Sequence, residues 1–144
     1  LELTVKSFNE LAAAELFEIY RVRTAVFVVE QKCPYQEVDE TDKEALHMYF
    51  FHEGRIIAYL RCFPIGEEGT VRIGRVLTME RGTGLGRRLV HSALEEIKKR
   101  YNAKRVYIEA QSYAVGFYKK EGFVICGEEF LEDGIPHIGM EKIY

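Results

Sequence analysis

The stretch Val76-Leu77-Thr78-Met79-Glu80-Arg81-Gly82-Thr83-Gly84-Leu85-Gly86-Arg87-Arg88-Leu89 constrains the fold of this chain more than any other. It begins with strand formers, passes through glycines, and opens a helix predicted over residues 84–100. Leu85, Leu89, Val90, Ala93, Leu94 and Ile97 share one face of that helix. A strand at residues 70–78, the helix, and a strand at residues 105–110 read as a right-handed parallel crossover. Gly82, Gly84 and Gly86 let the backbone curl so that successive N–H groups point at one anion. The helix start adds unpaired donors and the positive end of its dipole. Arg81, Arg87 and Arg88 add full charge, so the loop suits a pyrophosphate. A Walker A loop fits poorly, because Gly86 is followed by Arg87. A dinucleotide fingerprint fits poorly too, since the spacing is G-x-G-x-G and several strands come before it.

The rest of the pattern supplies a mixed sheet. Leu1, Leu3 and Val5 alternate as a first strand, and Ser7 or Asn9, with Glu10, caps a helix read over residues 11–29. Leu16, Ile19, Arg23, Val26 and Phe27 share its stripe, and Pro34 closes the region. An acidic loop follows at residues 36–44, and a charge run of that kind reads as a solvated face or as a lure for a cationic substrate. Strands are predicted at 46–51 and 56–63 around a turn at Glu53-Gly54, then at 123–129 and 137–143. Between them, Ser112 caps a short helix that stops at Gly122. The expectation is one mixed α/β domain over residues 1–144, a twisted sheet of about seven strands flanked by helices.

Composition removes several function classes. A net charge of −3 speaks against nucleic acid, and no apolar run is long enough to span a bilayer. Cys33, Cys62 and Cys126 are isolated thiols with no C-x-x-C pair, which fits a reducing, cytoplasmic setting. Cys33 reads as a bland thiol beside Pro34 rather than a nucleophile. His47, His52, His91 and His137 form no metal pattern, so no metal is expected.

The order Arg81-Gly82-Thr83-Gly84-Leu85-Gly86 resembles the Arg-x-x-Gly-x-Gly coenzyme A motif of the GNAT acetyltransferase superfamily. Residues 106–110 and Gly116-Phe117-Tyr118-Lys119-Lys120-Glu121-Gly122-Phe123 are similar to its second motif. Residues 23–35, Asp39 to Asp42, Gly74-Arg75-Val76 and Glu132-Asp133-Gly134-Ile135-Pro136-His137 resemble its ElaA-like branch. The resemblance implies acetyl-CoA as co-substrate and an amine, small or within a peptide, that attacks it directly in a ternary complex. A homodimer is among the assemblies it allows.

The same resemblance implies that Val76, Leu77 and Thr78 pair with the pantetheine arm, and that the N–H of Leu77 or a neighbour holds the developing oxyanion. It places the pyrophosphate on Arg81, Gly82, Thr83, Gly84, Leu85, Gly86 and Arg87. Tyr118 is then the acid that protonates the departing thiolate. Gln111 and Ser112 stand where some relatives carry a cofactor-binding asparagine. For the base, the candidates are Glu109 first, then Glu30, His47 and His137. A domain of the same fold that senses acyl-CoA without turnover stays open beside the enzyme.

Overall fold

Residues 1–144, described by a computed structural model, form an eight-stranded mixed sheet with helices on both faces. The strands are β1 (Thr4–Ser7), β2 (Leu46–His52), β3 (Arg55–Pro64), β4 (Thr70–Thr78), β5 (Arg105–Gln111), β6 (Val124–Ile125), β7 (Phe130–Glu132) and β8 (Ile135–Ile143). The helices are α1 (Ala13–Arg23), α2 (Leu85–Tyr101) and α3 (Val115–Lys120). Strand order is β1-β2-β3-β4-β5-β8-β6, with β7 paired to β8. All pairings are antiparallel except β4 with β5, the two strands that the α2 crossover joins. No helix is long and apolar enough to cross a membrane.

Two apolar clusters hold the layers. The larger one places the six residues of the predicted α2 face against Met48, Phe50, Leu60, Ile73, Val106, Ile108 and Met140 of the sheet. Each such burial stabilises by about 1.5–3 kcal/mol, which outweighs any propensity difference along the helix. The smaller cluster seats Ile19, Val22, Val26 and Phe27 against Tyr49, Ile56, Tyr59 and Leu77. The β2–β3 hairpin turns on Glu53 and Gly54, both at positive φ (52° and 75°), the geometry that matches strand twist.

Several boundaries differ from the sequence reading. Ser7 and Glu10 form a capped 3₁₀ turn (Phe8–Glu10) of their own, and α1 starts only at Ala13, where Glu15 accepts from the Ala12 N–H at 2.8 Å. After Arg23 the helix widens into a π-helical segment, Thr24–Glu30, whose end shows five-residue bonds from Gln31 N to Val26 O and Cys33 N to Val28 O. The strand expected at 123–129 shrinks to the two residues of β6, and β7 at Phe130–Glu132, which the sequence reading left outside any strand, brings the count to eight.

The acidic loop is a solvated face only in part, at the exposed Glu40 and Glu44. Glu37 and Asp42 are buried and neutralised from within. Arg23, fully buried, grips Asp42 with both terminal nitrogens (2.6 and 3.1 Å) and Glu37 with Nε (2.9 Å). Arg61 bridges Asp39 and Asp42, and Arg75 donates to Glu37 and Asp39. Three guanidinium groups thus meet three carboxylates. Burial alone would raise the Asp42 carboxyl, but Arg23 and Arg61 outweigh it and hold Asp42 below its ordinary value.

Replacing Arg23 by Met should therefore cost about 3–5 kcal/mol at pH 7, because buried carboxylates lose their counter-charge. The sign with pH follows from linkage. A depressed Asp42 contributes fully above its unfolded value, about 3.9, and loses that contribution as pH falls through the folded value. Urea unfolding at pH 7 and pH 3 should show the deficit of Arg23→Met shrinking in acid. An equal deficit at both values would contradict the ion-pair explanation.

Candidate active site

Strands β4 and β5 pair only from Thr70↔Arg105 to Ile73↔Ile108. Past that point β4 runs on through residues 74–78 and β5 through 109–111 with no pairing between them. The cause is local to β4. Arg75 and Val76 together oppose Leu60 of β3, a bulge, and Arg75 takes a positive φ of 54°. A bulge adds twist and bends its strand, so β4 leaves its neighbour and exposes an unpaired backbone edge. The expected splaying of two parallel strands is present.

This opening runs into the glycine loop. Gly82 and Gly84 both sit at positive φ (75° and 77°), and Gly84 is the N-cap of α2 with no side chain to offer as a cap. The first helical bond runs from Arg88 N to Gly84 O at 3.2 Å, and the N–H groups of residues 80–87 donate to no backbone carbonyl. Eight consecutive amides, the last three in the first turn of α2, are therefore left without a backbone partner, a donor set suited to phosphate oxygens. A Cβ placed on Gly84 meets no protein atom within 4 Å, so the space over the loop is clear. Arg81 is held by Glu30 at 2.9 and 3.3 Å, and Arg87 lies 3.6 Å from Glu121. Both pairs have largely exposed arginines, which leaves them weakly held and able to turn toward an anion.

Helix α3 closes the mouth of the opening. Phe117 approaches to 3.7 Å of a Cβ built on Gly86, and Thr78 Cγ2 to 3.5 Å, so helix start, strand end and α3 converge there. Tyr118 is buried, with its ring edge-on to Phe117 and Phe123 at 5.0 and 5.8 Å. Burial, with Tyr113 adding a smaller effect, pushes its phenol well above the ordinary tyrosine range.

The face of β5 turned away from α2 carries Tyr107, Glu109 and Gln111. Glu109 accepts from Arg72 at 2.7 Å and from the Tyr107 hydroxyl at 2.9 Å, so both carboxylate oxygens are engaged. Gln111 exchanges amide bonds with Gln31 at 3.2 and 3.4 Å, tying the end of the π-helical segment to β5. Ser112 donates to Glu129 at 2.8 Å rather than capping a helix. His47 is sealed in the core. Tyr59 donates to its Nδ1 at 2.6 Å, its Nε2 donates to Asp42 O at 2.8 Å, and burial pushes its pKa down. Buried Cys33 donates to Asp133 O at 3.5 Å, a structural thiol.

Comparison with known proteins agrees with this geometry. The family model for the acetyltransferase (GNAT) domain matches residues 9–144. The chain belongs to the GNAT acetyltransferase family. Protein ElaA of Escherichia coli is 37% identical over 139 residues, 93% of this chain and 91% of that protein. A UPF0039 protein of Schizosaccharomyces pombe is 44% identical over 97% of this chain and 95% of its own length. Among solved structures, an acyl-CoA N-acyltransferase from Pseudomonas aeruginosa superposes with a TM-score of 0.91 at 42% identity, covering 99% of both chains. With membership comes the general chemistry of a GNAT protein, acyl transfer from coenzyme A.

Sequence reasoning missed Arg72, Tyr107 and Gln31, which hold Glu109 and Gln111 in place. The alternation Arg105-Tyr107-Glu109-Gln111 on an otherwise apolar strand was the available signal. The loop gives a direct test. Asparagine tolerates positive φ, so Gly84→Asn adds bulk without forcing the backbone. Calorimetry should show coenzyme A binding at least about tenfold weaker, a loss of about 1.4 kcal/mol. Wild-type affinity in the folded variant would move the phosphates elsewhere.

Proposed function

We propose that this protein is an N-acetyltransferase that binds acetyl-CoA in the β4–β5 opening and passes the acetyl group to an amine. The observation that carries the reading is the continuity of the unpaired β4 edge with the eight free amides at the start of α2. An extended pantetheine arm would hydrogen-bond to β4 as an added strand, and its pyrophosphate would take the loop amides. Val76, Leu77 and Thr78 line the arm, and Arg81 and Arg87 exchange their carboxylate partners for phosphate. The thioester carbonyl then lies at the bulge, where a β4 N–H stabilises the oxyanion.

An amine acceptor fits the charge around the cleft. Residues 121–141 contain no Lys or Arg and carry Glu121, Glu128, Glu129, Glu132, Asp133 and Glu141. This stretch builds β6, β7 and most of β8; β8 borders β5, β6 and β7 pair with β8, and the acidic residues without an arginine partner, Glu128, Glu129, Glu132 and Asp133, would attract a cationic acceptor.

Tyr118 serves the leaving group. Its hydroxyl has no hydrogen-bonding cause behind its raised pKa, so the O–H is free to donate to the sulfur as C–S cleavage proceeds. Coenzyme A thiolate is a fair leaving group, with a reference thiol pKa of about 8.5, which places the benefit at the low end of acid catalysis. Tyr118→Phe keeps the ring between Phe117 and Phe123 and removes only the oxygen. Turnover should fall about a hundredfold with coenzyme A affinity within about threefold of wild type. The measurement is thioester consumption with acetyl-CoA and an amine panel. Unchanged turnover in Tyr118→Phe would remove the acid role, and no consumption by wild type with any amine would favour an acyl-CoA sensor.

A further inference from the structure

Transfer to an amine requires a group that takes a proton from nitrogen. Glu109 has both oxygens engaged, and Glu30, paired with Arg81, stands beside the phosphate loop rather than along β5. His137 is different. It stands on β8 directly opposite Gln111, beyond the point where β4 and β5 part, and on the face that carries Glu109. Its Nδ1 lies 2.7 Å from Ile135 O. A carbonyl only accepts, so Nδ1 carries a proton and the neutral ring keeps its lone pair on Nε2. Phe130 stacks on the ring at 5.8 Å and 24°, which fixes its plane.

Nε2 itself has no hydrogen bond. The nearest acidic atom, Glu132 Oε2, is 3.9 Å away, beyond bonding distance but close enough to steady a positive ring. The only fully shielded side-chain nitrogens or oxygens without a partner are Nε of Arg61 and Nε of Arg72. The Nε2 lone pair is therefore not sealed in the core. His137 lies across from Gln111, which Gln31 ties to the π-helical segment, and so stands at the end of β5 that β4 has left.

Building on the acyltransferase reading, we propose that His137 is the catalytic base, taking the proton of the attacking amine on Nε2 while Glu132 stabilises the imidazolium. An acceptor that arrives as an ammonium first gives one proton to solvent; the neutral amine nitrogen then forms a bond to the thioester carbon, giving a tetrahedral adduct with a positive nitrogen. Nε2 removes one N–H proton. The carbonyl re-forms, the C–S bond breaks with its electron pair on sulfur, and the thiolate takes a proton from Tyr118. The imidazolium returns its proton through water to the phenolate, leaving amide and free coenzyme A.

The test compares wild type, His137→Gln, His137→Ala and Glu109→Gln with acetyl-CoA and an amine that wild type acetylates. Glutamine retains a donor for Ile135 O but is no base, so His137→Gln should lose about a hundredfold or more in kcat. Its coenzyme A affinity should stay within about threefold of wild type. Added imidazole should enter the space left in His137→Ala and restore at least about tenfold of the lost rate, which a purely structural histidine would not permit. Turnover within about threefold of wild type in His137→Gln would overturn the assignment. So would a loss in His137→Ala that imidazole leaves unrelieved, or a Glu109→Gln defect with His137→Gln intact. A wild type that acetylates no amine would instead overturn the acyltransferase reading, and the assignment with it.

Discussion

Two parallel strands stop pairing at Ile73 and Ile108 while both chains continue, and the site depends on that parting. Unpaired strand edges are costly when buried and prone to pairing with other chains, so one in the middle of a sheet suits a ligand that pairs there. Here the bare edge of β4 leads straight into amides that the geometry of Gly82 and Gly84 keeps outside the helix ladder. Backbone groups left open along one continuous path amount to a template for a long, flexible ligand with a doubly charged end.

The ion pairs at the bulge of β4 give that template its rigidity. Arg75, the residue at positive φ in the bulge, is fastened by Glu37 and Asp39 and lies 5.6 Å from the Tyr35 ring. Glu37 is fastened in turn by Arg23 at the end of α1, and Asp42 by Arg23 and Arg61. A strained backbone conformation persists where its surroundings over-determine it. The loop at residues 36–44 supplies that determination, linking the first helix to the strand that parts from β5.

Much of this was legible in the residues. All six apolar positions read onto α2 are buried, and β4 begins and ends at the predicted residues 70 and 78. Those features are local, since period and glycine position are written within a few residues. The π-helical turn was not legible, because Thr24, Val26, Val28 and Val29 state a preference among side chains, not between four- and five-residue bonds. The acidic loop showed its sign but not its partners, which lie on α1, β3 and β4, 14 to 38 residues away in sequence. Arg23 inside an apolar stripe was the one clue that charge would be buried. Glu109 fell among the candidates by position, and only the fold brings Arg72 and Tyr107 to its two oxygens.

Amide hydrogen exchange with and without coenzyme A tests the central claim most directly, because it reads backbone donors one segment at a time. Saturating coenzyme A should slow exchange along the free edge of β4 at residues 76–78 and across the loop at residues 81–87. The β2–β3 hairpin should remain unchanged. Protection confined to other segments, with β4 and the glycine loop exchanging as before, would contradict a cofactor held in the strand opening.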